Sequence, residues 1–290
     1  MSLIMATATD ARFFDWAQGM IESVRDKPQG RAVSIGLFDL GCSDDQRAWL
    51  RQHVDFICEP QWEFSFPPTA KIPDHFRGFL VKPFLRRYFP GFDTYLWIDA
   101  DTWVQQWNAI DLLQRGAETR GLAVVPEFAR GNSPRYGQRT KLLKDLSDWY
   151  GSHYGPVIGR QLADYPMLNT GVFALQADAP HWELWEQCMR SGLKVSCSNL
   201  ADQLAMNMVV YQRGLLERTE LLPAWCNWTC HDGLPAWDTE RRLLVEPYLP
   251  HAPIGVLHIS GEKLLEAELQ TTAGGKAIVS LRYAARPESV

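Results

Sequence analysis

Asp99 and Asp101 stand one residue apart at the end of the apolar run Tyr95-Leu-Trp-Ile98. In extended backbone two such side chains point to the same side. Carboxylates that close repel unless a cation sits between them or one takes up a proton. A hard divalent metal meets that need. The plain alternative is a solvated strand end followed by a turn.

The run before the pair is apolar throughout, as expected of a strand buried on both faces of a parallel sheet. Open α/β sheets bind ligands at the carboxyl ends of their strands, so the pair lies where a site is expected. The elements around it read in order. Residues 4–8 form a first strand, and Asp10 is placed to cap the helix after it. Phe13, Ala17, Met20, Ile21 and Val24 give that helix one apolar face. Residues 32–38 form a second strand. Ser43 and Gln46 make a capping-box pattern before a helix to about residue 53. Residues 54–58 form a third strand. This βαβαβ order implies a parallel sheet with right-handed crossovers.

Residues 59–73 are Pro-rich and irregular, and 76–88 read as a helix with Pro83 starting a segment or kinking it. Asp111 begins a short helix, and residues 121–126 form another strand. Residues 127–140 carry Arg130, Arg135 and Arg139 and read as a long mobile loop, either a lid over an anionic ligand or a solvated basic loop. Residues 165–175 enter a strand, 181–190 and 200–211 are helices, 221–228 are extended, and 254–263 are a short strand with a glycine turn.

Bulk composition sets limits. The 290 residues are 46% hydrophobic and 22% charged, an ordinary globular balance. The net charge of −5 gives no reason to expect nucleic acid or an anionic membrane as partner. No run of 18 apolar residues exists, so no membrane span is expected, and no signal peptide is read at the start. The six cysteines make no disulfide framework, which suits a cytoplasmic location. That location includes the inner face of a membrane. Neither a dinucleotide Gly-x-Gly-x-x-Gly after the first strand nor a phosphate loop ending Gly-Lys-Ser/Thr is present.

The order of motifs resembles family 8 nucleotide-sugar glycosyltransferases and their relatives of the GT-A fold. It covers about residues 5–263. It comprises Asp10, the Asp99-Ala100-Asp101 motif, Leu168-Asn-Thr-Gly-Val172, Asp202-Gln203 with Asn207, Leu222-Pro-Ala-Trp-Cys-Asn227 and His258-Ile-Ser-Gly-Glu-Lys263. The resemblance implies an α/β fold of GT-A type: a Rossmann-like, mostly parallel sheet flanked by helices in one domain. The nucleotide-binding half would be about 1–105, and the acceptor and sugar half about 106–290. It implies a manganese (or magnesium) ion held by Asp99, Asp101 and His258, and a uridine diphosphate sugar as donor. Thr7, Ala8 and Asp10 match the nucleoside edge. Ala100 and Gly171 line the donor site, and Lys82 faces the donor's phosphates. Gly261 and Lys263 match the diphosphate turn. Asn169, Asp202 and Gln203 match the residues at the sugar and its anomeric carbon. The implied reaction is sugar transfer with retained configuration to an acceptor that is a saccharide, lipid or protein.

The chain departs from the pattern in three places. Phe13-Phe14 stands where a Tyr is usual, only Glu262 separates Gly261 from Lys263, a closer spacing than usual, and Leu264-Leu265 follows the late lysine in place of Pro-Trp. Lys82, as a cation reaching the phosphates from a helix, is expected to matter for turnover rather than folding. Trp225 and Trp228 are read as core, and Cys226, Cys230 and His231 as no metal site. Two other classes fit parts of the chain. One is a sugar-binding protein without turnover on the same fold. The other is a haloacid-dehalogenase-type phosphatase with Asp99 as nucleophile, which lacks its downstream acidic pair.

Overall fold

The computed structural model describes residues 1–66, 71–133 and 137–284; Arg135 lies outside them. Strands β1 (Leu3–Thr9), β2 (Ser34–Asp39), β3 (Phe56–Cys58), β4 (Thr94–Ile98), β5 (Thr102–Val104), β6 (Leu122–Pro126), β7 (Leu168–Gln176), β8 (Thr219–Leu221), β9 (Trp228–Thr229), β10 (Ala236–Asp238), β11 (Leu243–Val245), β12 (Val256–His258), β13 (Glu266–Gln270) and β14 (Lys276–Ser280) alternate with helices. A seven-stranded sheet runs β3-β2-β1-β4-β7-β6-β8. β7 alone is antiparallel to its neighbours β4 and β6; the other pairs are parallel. The expected mostly parallel α/β sheet in a single domain is what forms.

The apolar run at 95–98 is buried because the sheet separates two cores. Tyr95 and Trp97 join one cluster with Ile4, Ala6, Phe173 and Leu175. Leu96 and Ile98 join the other with Met5, Val172 and Ala174. Period-two alternation sends neighbours to opposite faces, and helices cover both. Leu96 and Ile98 are fully buried, contributing roughly 1.5–3 kcal/mol each. A third cluster, containing Trp228, Leu257, Ile259 and Leu269, lies under the C-terminal strands. The small sheet β5-β12-β9 joins it to the region after β4.

Three expectations need correction. Residues 74–88 are not one helix. They run as a 3-10 turn at Asp74–Phe76, a helical turn at Arg77–Leu80, a 3-10 turn at Lys82–Phe84 and a helical turn at Leu85–Tyr88. Pro83 lacks an N–H and interrupts the helix, and Lys82 is consequently turned inward, 2% exposed. Asp10 does not cap the helix Phe14–Arg25, whose N-cap is Phe13. Its carboxylate accepts from the backbone N–H groups of Arg12 and Phe13 instead, holding the turn before the helix.

The third correction concerns the basic segment after β6. Gly131 lies against Trp228, where a Cβ would come within 2.8 Å of the ring, and Asn132 is buried. From Arg139 the chain is helical to Tyr154. Arg130 lies over the Tyr248 ring and donates to the Leu249 carbonyl. The described part of the segment is packed rather than a free loop.

The capping box at Ser43 and Gln46 forms as read. Hairpins β10–β11 and β13–β14 and the helices Arg139–Tyr154 and Pro156–Leu162 were not anticipated.

Candidate active site

β4 ends at Ile98, and the chain turns sharply at Asp99-Ala100-Asp101 before β5. The Asp99 N–H donates to the Gly171 carbonyl, and the Thr102 hydroxyl donates to the Asp99 carbonyl. β12 pairs antiparallel with β5, setting His258 opposite Thr102. The acids and the late histidine therefore meet, although more than 150 residues separate them. The His258 Nε2 lies 3.5 Å from Asp101 Oδ1 and 3.9 Å from Asp99 Oδ2. One ligand atom from each of the three residues falls within 4.8 Å of the others.

These residues fit a divalent metal. Two carboxylates and an imidazole form a mixed donor set. The space between them is kept open by Gly171, where a Cβ would come within 2.4 Å of the His258 ring and 2.8 Å of Asp99 Oδ2. Such contacts are forbidden to any larger residue. A chain of buried amides fixes the ring. His258 Nδ1 bonds Asn227 Oδ1 at 3.0 Å. Asn227 Nδ2 donates to Asn169 Oδ1, and Asn169 Nδ2 donates to Glu127. With Nδ1 carrying its proton toward Asn227, Nε2 is presented to the acids.

The electrostatics match the geometry. Burial raises the Asp99 carboxyl's pKa, with Lys82 and His258 pulling the other way. Burial acts upward on Asp101 too, but His258 and Lys263 outweigh it and hold that carboxyl well below its usual range. For His258, burial disfavours the charged ring, yet Asp101 and Asp99 outweigh it and raise its pKa. Asp99 and Asp101 thus face Lys82, His258 and Lys263, with Lys82 shared between Asp99 and Asp202.

A second set of residues flanks the first. The start of β7 is irregular: β6 pairs Val124 with Phe173 but Val125 with Asn169, so residues 170–172 bulge away from β6. Bulges of this kind re-aim side chains beside active sites. Asn207 pins the irregular end by accepting from the Leu168 N–H and donating to its carbonyl. Thr170 then donates its hydroxyl to Asp202 Oδ2, and its N–H donates to Gln203 Oε1. Lys82 Nζ lies 2.7 Å from Asp202 Oδ2 and 3.4 Å from Asp99 Oδ1 and donates to the Thr170 carbonyl. Burial disfavours the Lys82 charge, but Asp202 and Asp99 outweigh it and raise its pKa.

Both sets open on one cavity of about 700 Å³, and every candidate residue read from the sequence lines it except Thr7. Thr7 is fully buried within β1, one residue away from the cavity-lining Ala8, and points into the sheet's packing instead. Asp10 reaches the rim. Burial would raise its pKa, but the Arg12 guanidinium and the Phe13 N–H together lower it.

Two corrections concern chemistry. Lys82 lines the cavity, but from a 3-10 turn rather than a helix, and its ammonium is the buried link between Asp99 and Asp202. Asn169 contacts Asn227 and Glu127, in the support behind His258, as well as lining the cavity. The sequence reading missed Asn227 and Glu127 as part of the site. Asn227 ends the Leu222-Pro-Ala-Trp-Cys-Asn227 motif, whereas nothing in the sequence points to Glu127. Trp228 is buried as expected; His231, read from the sequence as no metal ligand, groups with Glu127 and Asp232, one ligand atom of each lying within 4.8 Å of the others.

No known family profile matches the chain, and no curated protein matches it in sequence. Solved structures do match. The galactosyltransferase LgtC in complex with donor and acceptor sugar analogs is 14% identical, with a TM-score of 0.54 over 89% of this chain and 87% of that one. The bifunctional glycosyltransferase WbbM is 14% identical with a TM-score of 0.56. That match covers 90% of this chain, which spans only 46% of WbbM. Mouse xyloside xylosyltransferase 1 is 12% identical with a TM-score of 0.52, over 89% and 97% of the two chains. Likeness at such low identity establishes architecture, and the chain has the GT-A fold of these glycosyltransferases.

Proposed function

We propose that the protein is a metal-dependent glycosyltransferase that moves a sugar from a nucleotide diphosphate sugar, with uridine as the expected base, to an acceptor. The observation that carries this reading is the convergence of the Asp99, Asp101 and His258 cluster with the Lys82, Asp202 and Gln203 cluster on one cavity at the carboxyl end of β4. Neither cluster alone singles out this chemistry. Together they support a diphosphate site beside a sugar site.

The residues have separable roles. A sugar leaves its diphosphate through a cationic, oxocarbenium-like state while negative charge grows on the leaving group. A bound manganese or magnesium ion, held by Asp99, Asp101 and His258, would neutralise that growing charge as a Lewis acid. Lys263, at the same edge, adds a positive charge for the diphosphate. Asp202 holds Lys82 and Thr170 through Oδ2, which leaves Oδ1 without a hydrogen bond among the described residues. That oxygen is available to a sugar hydroxyl or to the cationic ring. A carboxylate already neutralised by a buried ammonium is a weak nucleophile, so Asp202 orients and stabilises rather than attacks. Gln203 keeps Oε1 on the Thr170 N–H, and an amide is weaker still. Attack by the acceptor on the face the diphosphate leaves, with retained configuration, is the reading these roles support. The acceptor remains a saccharide, lipid or protein.

The location proposed is the cytoplasm; among the described residues no helix is long and apolar enough to cross a membrane. No observation favours the sugar-binding or phosphatase readings. The test is incubation with a set of nucleotide sugars and manganese while free nucleoside diphosphate is measured. Release from a uridine diphosphate sugar, abolished by Asp99→Asn, is expected. Tighter binding of ATP or NAD than of any nucleotide sugar would overturn the reading.

A further inference from the structure

Lys263 is engaged at the place a metal would use. Its Nζ donates to Asp101 Oδ2 and, at 2.8 Å, to the carbonyl of Ile259. The other oxygen of the same carboxylate, Oδ1, faces His258 Nε2 at 3.5 Å. The ammonium thus occupies one of the two carboxylates on which the metal site depends. An ammonium has three N–H groups, and two are used, so the third is available to a ligand in the cavity, where the Phe13 ring also lies 5.8 Å from Nζ.

The side chain of Lys263 can let the amine move. Gly261 has φ +75°, a conformation glycine adopts at no steric cost. Lys263 itself is half-buried on a flexible four-carbon stem. Cation and ammonium cannot both hold Asp101 closely: they compete for its lone pairs and repel each other. A diphosphate changes the balance, since it offers Lys263 an anion of higher charge and offers the metal further oxygens.

We propose that Lys263 gates the metal site, holding Asp101 when no diphosphate is present and releasing it when one arrives, so that metal and nucleotide bind as a pair. This rests on the metal site and donor class proposed above, and it adds the residue that couples the two. Lys263 has opposite effects on the two ligands. It opposes metal alone, through competition and repulsion, and it favours the diphosphate. A residue serving only to pack the turn would not act in opposite directions.

The experiment is a manganese titration followed by the paramagnetic resonance of free ion, with and without uridine diphosphate. It is run on the wild type, Lys263→Met, Lys263→Gln, Lys263→Arg and Asp101→Asn. Removing a charge-assisted pair that blocks a ligand should raise the affinity for manganese alone roughly tenfold in the Met and Gln variants. The same variants should bind uridine diphosphate more weakly in the presence of manganese. Lys263→Arg, which keeps the charge, should stay near the wild type in manganese alone. Thermal unfolding of each variant checks that it is folded. If wild type binds manganese with nucleotide, and Met and Gln both leave the affinity for manganese alone unchanged or lower, the gate is wrong and the metal site stands. If wild type binds no manganese even with nucleotide, the metal site and the gate fall together.

Discussion

Lys82 Nζ stands 2.7 Å from Asp202 Oδ2 and 3.4 Å from Asp99 Oδ1, so one buried ammonium joins the acid at the end of β4 to the acid on the helix Ala201–Asn207. This link brings the two clusters into register. It also couples stability to function at this position. Lys82 and Asp202 are each 2% exposed, and a buried charge left without its partner is strongly destabilising.

Lys82→Ala should therefore lower stability by roughly 3 kcal/mol and also abolish turnover. This reverses the expectation from sequence that folding would be spared. The double variant Lys82→Met with Asp202→Asn should recover most of the stability and none of the activity. Urea unfolding of the two variants and wild type checks it. Full stability in Lys82→Ala would show that the ammonium is not what holds Asp202.

Gly171→Ala tests the cradle between the ligands. The added Cβ would lie within 2.4 Å of the His258 ring and 2.8 Å of Asp99, far inside normal contact, so the ring or the acid must shift. Metal geometry tolerates little displacement. Affinity for manganese in the presence of nucleotide diphosphate should fall about tenfold or more, with a smaller loss of thermal stability. Unchanged manganese affinity would mean that the cluster does not enclose the ion.

How much of this was legible in the sequence follows from which interactions are local. The 95–98 run, the capping box at Ser43 and the acid pair are written in neighbouring residues, and they formed as read. The order of motifs placed Asp99, Asp101 and His258 together, although composition and spacing alone could not. The turn of Lys82 inward was hidden because periodicity assigned residues 76–88 to one helix. Pro83 breaks that helix, and the partner that rewards the break, Asp202, lies 120 residues later. The Glu127–Asn169–Asn227–His258 chain was hidden for the same reason, since each link joins a different element. The β13–β14 hairpin has strict alternation in burial, but the continuous apolar run Ala277-Ile278-Val279 does not alternate in sequence, so its pattern is weak beside the core strands.

Acid stability should carry the signature of His181. This histidine is fully buried. Its Nε2 lies 3.3 Å from the Thr219 hydroxyl, which itself donates to the Leu215 carbonyl. The hydroxyl must then accept from Nε2–H, and Nδ1 has no partner among the described residues. Protonation would bury a second N–H with no acceptor. Burial, with Arg218 adding to it, lowers the pKa to about 4. A depressed histidine is neutral in the folded protein while the unfolded chain takes up its proton below about 6.5. Stability is therefore complete above pH 6.5 and is lost as pH falls toward 4, by up to roughly 3 kcal/mol. Chemical denaturation between pH 7 and 4 should show this slope, and His181→Gln should flatten it. An equal slope in both proteins would assign the acid loss elsewhere.

The last prediction concerns Asn227, which lies behind His258 and outside the Asp99, Asp101 and His258 group. Its Oδ1 holds His258 Nδ1 at 3.0 Å and its Nδ2 is tied to Asn169, so it sets both the ring's orientation and the nitrogen that is left to ligate. Partners of a ligating histidine matter nearly as much as the ligand, and losing one weakens metal binding by roughly 10–100-fold. Asn227→Ala should show a loss in that range for manganese in the presence of nucleotide diphosphate, with about 1–2 kcal/mol of lost stability. The pH dependence gives an independent reading. Burial opposes the charge on His258, but Asp101 and Asp99 raise its pKa above the ordinary value, and only the neutral ring can ligate. Manganese affinity in wild type should thus fall as pH drops through that raised pKa, at higher pH than for an unperturbed histidine. In His258→Ala the remaining affinity should be low and nearly flat over the same range. The titration is run from pH 8.5 to 6 on wild type, Asn227→Ala and His258→Ala. If Asn227→Ala binds manganese as tightly as wild type at pH 8.5, the amide chain is packing alone, and the orientation of His258 is set by the strands β12 and β5.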